Sequence, residues 1–167
     1  MKKVLCITLA LMLALMILTG CQSNTVQSEI AREVGIDVKA GETLSDYDTH
    51  SGNGDGISCL VLQFSDDYLL NKIENDASWK AFPGDATVRA LIYGYTFDDG
   101  QYGPYITDEK GKALVPDIEN GYYWLKDRQA VEGKATGADI LHRHSLNFTL
   151  AAYDSDAKTL YYCKMDT

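Results

Sequence analysis

The C-terminal stretch Ser145 to Met165 constrains the fold most. Two runs rich in aromatic and apolar residues, Ser145–Tyr153 and Thr159–Met165, flank Asp154-Ser155-Asp156-Ala157-Lys158. Asp and Ser side chains bond their own backbone in turns, so this order of residues is that of a β-hairpin. Ile57–Phe64 is the most apolar strand candidate and is expected at the centre of the sheet. Gly121–Asp127 supplies a third strand, and Val38–Tyr47 another, weakened by Gly41. Helical spacing recurs in Val26, Ile30 and Val34, with Ala31 beside them and Gly35 placed to end the run. Ser65-Asp66-Asp67 is a helix start, with Ser65 as the cap and Leu69, Leu70 and Ile73 as the inward stripe. Val88–Tyr93 fits both periods, and a short helix stopped by Gly94 is the preferred reading. The expected fold is α+β: a mainly antiparallel sheet of about five strands with two or three helices packed on one face.

The first twenty-one residues have another purpose. Lys2 and Lys3 precede an apolar run from Val4 to Leu18, broken only by Thr8, and Leu18-Thr19-Gly20-Cys21 closes it. About 15 apolar residues suit a signal-peptide core and fall short of the roughly 20 of a spanning helix. The order of basic start, apolar core, Leu-x-Gly-Cys and polar Gln22-Ser23-Asn24-Thr25 resembles the lipobox of bacterial lipoproteins. That resemblance implies diacylglycerol on the Cys21 thiol, with acyl chains such as palmitate, and cleavage between Gly20 and Cys21. Each buried CH₂ contributes about 0.8 kcal/mol to membrane attachment, so two or three chains hold a protein at the bilayer essentially permanently. The expected organisation is a signal over 1–20, a lipidated tether over 21–25 and a single α+β domain over 26–167, on the extracytoplasmic face of the cell membrane.

Removing residues 1–20 leaves 147 residues and takes away only Lys2 and Lys3, shifting the net charge from −9 to −11. That length suffices for one domain with a real core. The acidity argues against nucleic acid as a partner and against electrostatic adhesion to anionic lipid. Of the four cysteines, Cys6 leaves with the signal and Cys21 carries lipid, so Cys59 and Cys163 remain. Both lie in strand-like runs, and an exported location permits a disulfide; two buried thiols are the alternative.

The most ligand-like run is Asp48-Thr49-His50-Ser51-Gly52-Asn53-Gly54-Asp55-Gly56. An EF-hand loop needs a glycine at its sixth position and a carboxylate at its twelfth. Placing Gly56 sixth puts Leu62 twelfth, so the bidentate ligand is missing. A phosphate loop ends Gly-Lys-Ser/Thr, whereas Asp55-Gly56-Ile57 sets a negative charge there. What remains is a strand connection, with His50, Asn53 and Asp55 as candidate contact residues. His142-Arg143-His144 could present two metal ligands from one strand face, with a third from His50 or an aspartate elsewhere, but residues near a loop boundary are more often solvated, so no metal or other cofactor is expected. The turn-rich segment holding Tyr93, Tyr95, Phe97, Tyr102 and Tyr105 could instead stack on sugar rings or anchor a protein.

The segments Gly56–Phe64, "DDYLLNKI", "LIYG", "PDIENGYYWLKDR" and "SLNFTLAAYDSDAKTLYYCKMDT" resemble small lipoproteins and secreted proteins of anaerobic Firmicutes. The resemblance brings no activity, cofactor or catalytic residue. The leading expectation is a membrane-anchored, non-catalytic domain binding a protein or glycan. One alternative is an extracytoplasmic hydrolase of glycan or peptide, with acid/base groups among His50, His142, His144 and the aspartates. The other is a protective lipoprotein that blocks a toxin or phage.

Overall fold

The computed structural model describes residues 26–98, 100–130 and 138–167. The signal expected over 1–20 and the tether expected over 21–25 lie outside them. The chain divides into two units, Met1–Ala40 and Gly41–Thr167. In the first, helix α1 spans 26–34 and stops where Gly35 takes φ +78°, a left-handed conformation that glycine adopts without a Cβ clash. Its buried face is Gln27, Ile30 and Val34, whereas Val26 is 40% exposed. The inward stripe is therefore rotated by one residue from the Val26-led spacing.

The second unit is built on a six-stranded sheet, every neighbouring pair antiparallel, in the order β1-β2-β8-β7-β6-β3. Its strands are β1 (Glu42–Asp48), β2 (Gly56–Gln63), β3 (Lys80–Ala81), β6 (Gly121–Asp127), β7 (Phe148–Asp154) and β8 (Thr159–Asp166). A separate two-stranded ribbon pairs β4 (Tyr95–Phe97) with β5 (Gly100–Tyr102). The fold is α+β, with six strands and this ribbon in place of about five. The β7–β8 hairpin and β6 form as their composition dictates. The first expected strand begins only at Glu42. It is an exposed edge strand with an irregular register at Leu44, and Glu42, Asp46 and Asp48 discourage a further strand from adding there. Strand β2 is not central as expected; it lies next to this edge, and β8 and β7 hold the middle.

Both faces of the middle of the sheet are buried. On one, Cys59, Tyr123, Phe148, Leu150, Ala152 and Cys163 join Val88, Ala90, Leu91 and Ile92 of helix α3 (Ala86–Tyr93) in a single cluster. On the other, strand alternation presents Leu60, Leu62, Ala151, Tyr153, Leu160 and Tyr162, all buried. Leu69 and Ile73 of helix α2 (Tyr68–Glu74) are buried apart from the first cluster. Cys59 and Cys163 stand opposite each other in the β2–β8 register and are joined by a disulfide.

The helix ends show where local chemistry wins. Asp85 caps α3 by accepting the Val88 N–H at 3.0 Å, and Gly94 ends it at φ +79°. Ser65 does not cap α2. Asp67 takes the cap position without a side-chain bond, and Asp66 accepts the Tyr68 N–H instead.

Candidate functional site

A pocket of about 520 Å³ opens where three segments meet: Phe82-Pro83-Gly84 after β3, the outer side of α3 with Arg89, Tyr93 and Gly94, and Asp117-Ile118 before β6. That volume lies within the ordinary range for small-ligand sites. The sequence fixes each wall. Phe82 donates its N–H to the Gly121 carbonyl at 2.9 Å and meets the Tyr123 ring edge-on at 5.5 Å. Gly84 lets the chain pass close to α3, since a Cβ there would sit 2.9 Å from Val88 Cγ1.

Arg89 and Tyr93 are four residues apart on α3 and so share one side of the helix. The Tyr93 hydroxyl donates to the Pro116 carbonyl at 2.8 Å and accepts the Ile118 N–H at 3.2 Å. One phenol thus holds the backbone on both sides of Asp117. Burial raises the Tyr93 pKa, against the Ile118 hydrogen bond, so the hydroxyl keeps the proton it donates. The Arg89 guanidinium carbon lies 5.0 Å over the Tyr95 ring. Arg89 and Asp117 are both exposed, and neither has an ion-pair partner among the described residues.

The aromatic segment singled out from sequence adjoins this pocket. Tyr93 lines it, and Tyr95 lies under Arg89. From Tyr95 a run of edge-on contacts passes to Phe97 at 4.8 Å, to Tyr102 at 5.4 Å and to the ring of His142 at 5.4 Å. Tyr102 Oη and His142 Nδ1 are 3.2 Å apart. Tyr105 does not join this run and packs, half-buried, against the main core cluster. Arg89, Phe82, Asp117 and Ile118 carried no signal in the sequence. The spacing of Arg89 and Tyr93 could have found two pocket residues, had 88–93 read unambiguously as a helix.

The glycine-rich run is the β1–β2 connection. Its polar groups are occupied by one another: Ser51 bonds Asn53, and Asn53 donates to Asp55 at 2.8 Å. His50 Nδ1 lies 2.6 Å from Asp48, and Nε2 lies 3.2 Å from Asp166, which also pairs with Arg128 at 2.8 Å. The Asp48 hydrogen bond raises the His50 pKa against burial, with Asp166 adding to it. Asp48 is lowered by the His50 backbone N–H and then by the ring. Burial pushes Asp166 up, but the bonds and charges of Arg128 and then His50 outweigh it and leave the carboxyl low. With both ring nitrogens facing carboxylates, His50 is a clasp between the β1–β2 turn and the end of β8. His142 and His144 are exposed. Among the described residues no three His, Cys, Asp or Glu side chains are grouped to hold a metal ion.

Gly20 and Cys21 lie outside the described residues, and no helix among those residues is long and apolar enough to cross a membrane. Comparison with protein-family models, with curated proteins and with solved structures gives no match, so the functional reading rests on the residues of this chain.

Proposed function

We propose that this protein is a lipid-anchored extracytoplasmic binding protein, tethered through Cys21, whose pocket beside α3 holds part of a protein or glycan partner. The anchor rests on the ordered signal Lys2 to Cys21. The observation that carries the binding reading is the pocket itself. An apolar wall of Phe82, Pro83 and Ile118 stands beside Arg89 and Asp117, next to the edge-on rings of Tyr95, Phe97 and Tyr102. Apolar surface supplies affinity in such a site, and a few placed polar groups supply orientation.

Two experiments test the two halves. Cys21→Ser should leave the precursor unprocessed or release the protein from membranes; a variant still processed and membrane-bound removes the anchor. In envelope extracts, the intact protein should retain a partner that Arg89→Glu and Tyr95→Ala lose. Equal retention by all three proteins removes the pocket as the contact site.

A further inference from the structure

We infer that the pocket selects a small zwitterion, a ligand with a carboxylate and an ammonium group on a short, partly apolar frame, as in a dipeptide with free ends. This rests on the pocket being the binding site and names the ligand chemistry it suits.

Two charges in this pocket do not cancel. Arg89 and Asp117 line the same pocket, yet no ion pair joins them, and neither is paired elsewhere among the described residues. A ligand bearing only a carboxylate would gain from Arg89 and be repelled by Asp117. The protein's net negative charge would add to that repulsion. An uncharged ligand would exploit neither group electrostatically. A zwitterion gains from both.

Each charge is also held in place. The contact between Arg89 and Tyr95 is made to the π-face of the ring and uses no N–H donor, so the guanidinium fork stays available for a carboxylate. Asp117 sits between Pro116 and Ile118, whose carbonyl and N–H both bond the Tyr93 hydroxyl. Tyr93 is one turn from Arg89 on α3. That single phenol therefore sets the spacing between the cation and the anion, which makes Tyr93 a positioning residue. Phe82, Pro83 and Ile118 offer the apolar surface for a side chain between the two charged ends.

The test follows backbone amide chemical shifts of the full-length protein in detergent during titration with alanyl-phenylalanine, its N-acetyl form and its C-terminal amide. Alanyl-phenylalanine should move the amides of Arg89, Gly94 and Ile118, with half-saturation at about 1 mM or below. Blocking either end should weaken binding about tenfold, the effect of losing one charged hydrogen-bond partner. Arg89→Gln should abolish the sensitivity to amidation alone, and Asp117→Asn the sensitivity to acetylation alone. Tyr93→Phe should weaken the free dipeptide more than either blocked form, a pattern that general loss of structure would not give. Blocked peptides binding as well as the free one, or no pocket amide moving with any of the three, overturns the inference. If the pocket amides move with an envelope extract but not with alanyl-phenylalanine, the zwitterion fails and the binding site stands. If they move with neither, both fail.

Discussion

Tyr153 offers a sharp test of the packing. It lies on β7 opposite Tyr122 and Leu160, is 0% exposed, and its hydroxyl has no hydrogen-bond partner among the described residues. Burying a hydroxyl without a partner costs about 1–3 kcal/mol. Tyr153→Phe removes that cost and leaves a void of one oxygen, roughly 15 Å³, worth about 0.4 kcal/mol at ~24 cal/mol per Å³. The variant should therefore be more stable by about 1 kcal/mol, or about 3 °C in Tm. Urea unfolding followed by Trp79 and Trp124 fluorescence reads this as a higher midpoint at unchanged slope.

The same hydroxyl predicts a pH signature. Burial, then the charges of Asp67, Asp154 and Asp66, push the Tyr153 pKa up from 10.0 to about 12. A raised folded-state pKa means the unfolded chain ionises first. The stability that this tyrosine contributes is thus complete below pH 10 and is lost as pH climbs toward 12. Tyr153→Phe lacks that loss, so its advantage should widen between pH 9 and pH 11. A variant less stable than the parent by 1 kcal/mol or more at neutral pH would show that the hydroxyl has a partner. An advantage that does not change with pH would assign the alkaline titration to other tyrosines.

Three further outcomes follow from named contacts. The His50 clasp has one raised and two lowered pKa values, so its contribution should peak between the ordinary carboxylate value of 3.8 and the imidazole value of 6.5. It should fade on acidification as Asp48 and Asp166 protonate, and above pH 6.5 as His50 loses its proton; His50→Gln should flatten the alkaline limb of urea midpoint against pH. Asp85→Ala removes the α3 cap and should cost about 1 kcal/mol by the same unfolding assay. Cys59 and Cys163 are 104 residues apart. A Cys59→Ala, Cys163→Ala double variant should lose about 4 to 5 kcal/mol in calorimetry or urea unfolding, because so long a loop strongly restricts the unfolded chain.

What could be read from the sequence was what neighbouring residues decide. The turn Asp154–Lys158 fixed a hairpin without reference to the rest of the chain, and Gly94 stopped α3 because few other residues accept its backbone angle. Strands β3, β4 and β5 are two or three residues long, too short for any alternation to register; they exist through their partners. The buried face of α1 departs from its apolar spacing: Val26 is apolar yet exposed, and polar Gln27 is buried. The pocket was half legible. Its tyrosine segment stood out by composition, but Arg89 and Asp117 are ordinary surface charges until the Tyr93 hydroxyl ties α3 to the segment before β6.

The C-terminal hairpin has a role that its local chemistry does not reveal. Strand β8 is last in the chain but lies inside the sheet, with β2 on one side and β7 on the other. Through it pass the disulfide from Cys163 to Cys59 and the pairing of Asp166 with His50 and Arg128. Just beyond it, the Thr167 hydroxyl accepts the Leu146 N–H at 2.7 Å. Without β8, the β1–β2 pair and the β7-β6-β3 group would each present an open edge, one of them on β7, whose residues are buried almost throughout. The hairpin that forms most locally is therefore also the element that joins the two parts of the sheet. Substitutions that weaken the Asp154–Lys158 turn should act on the whole domain, whereas those in the β1–β2 turn should act only on its edge.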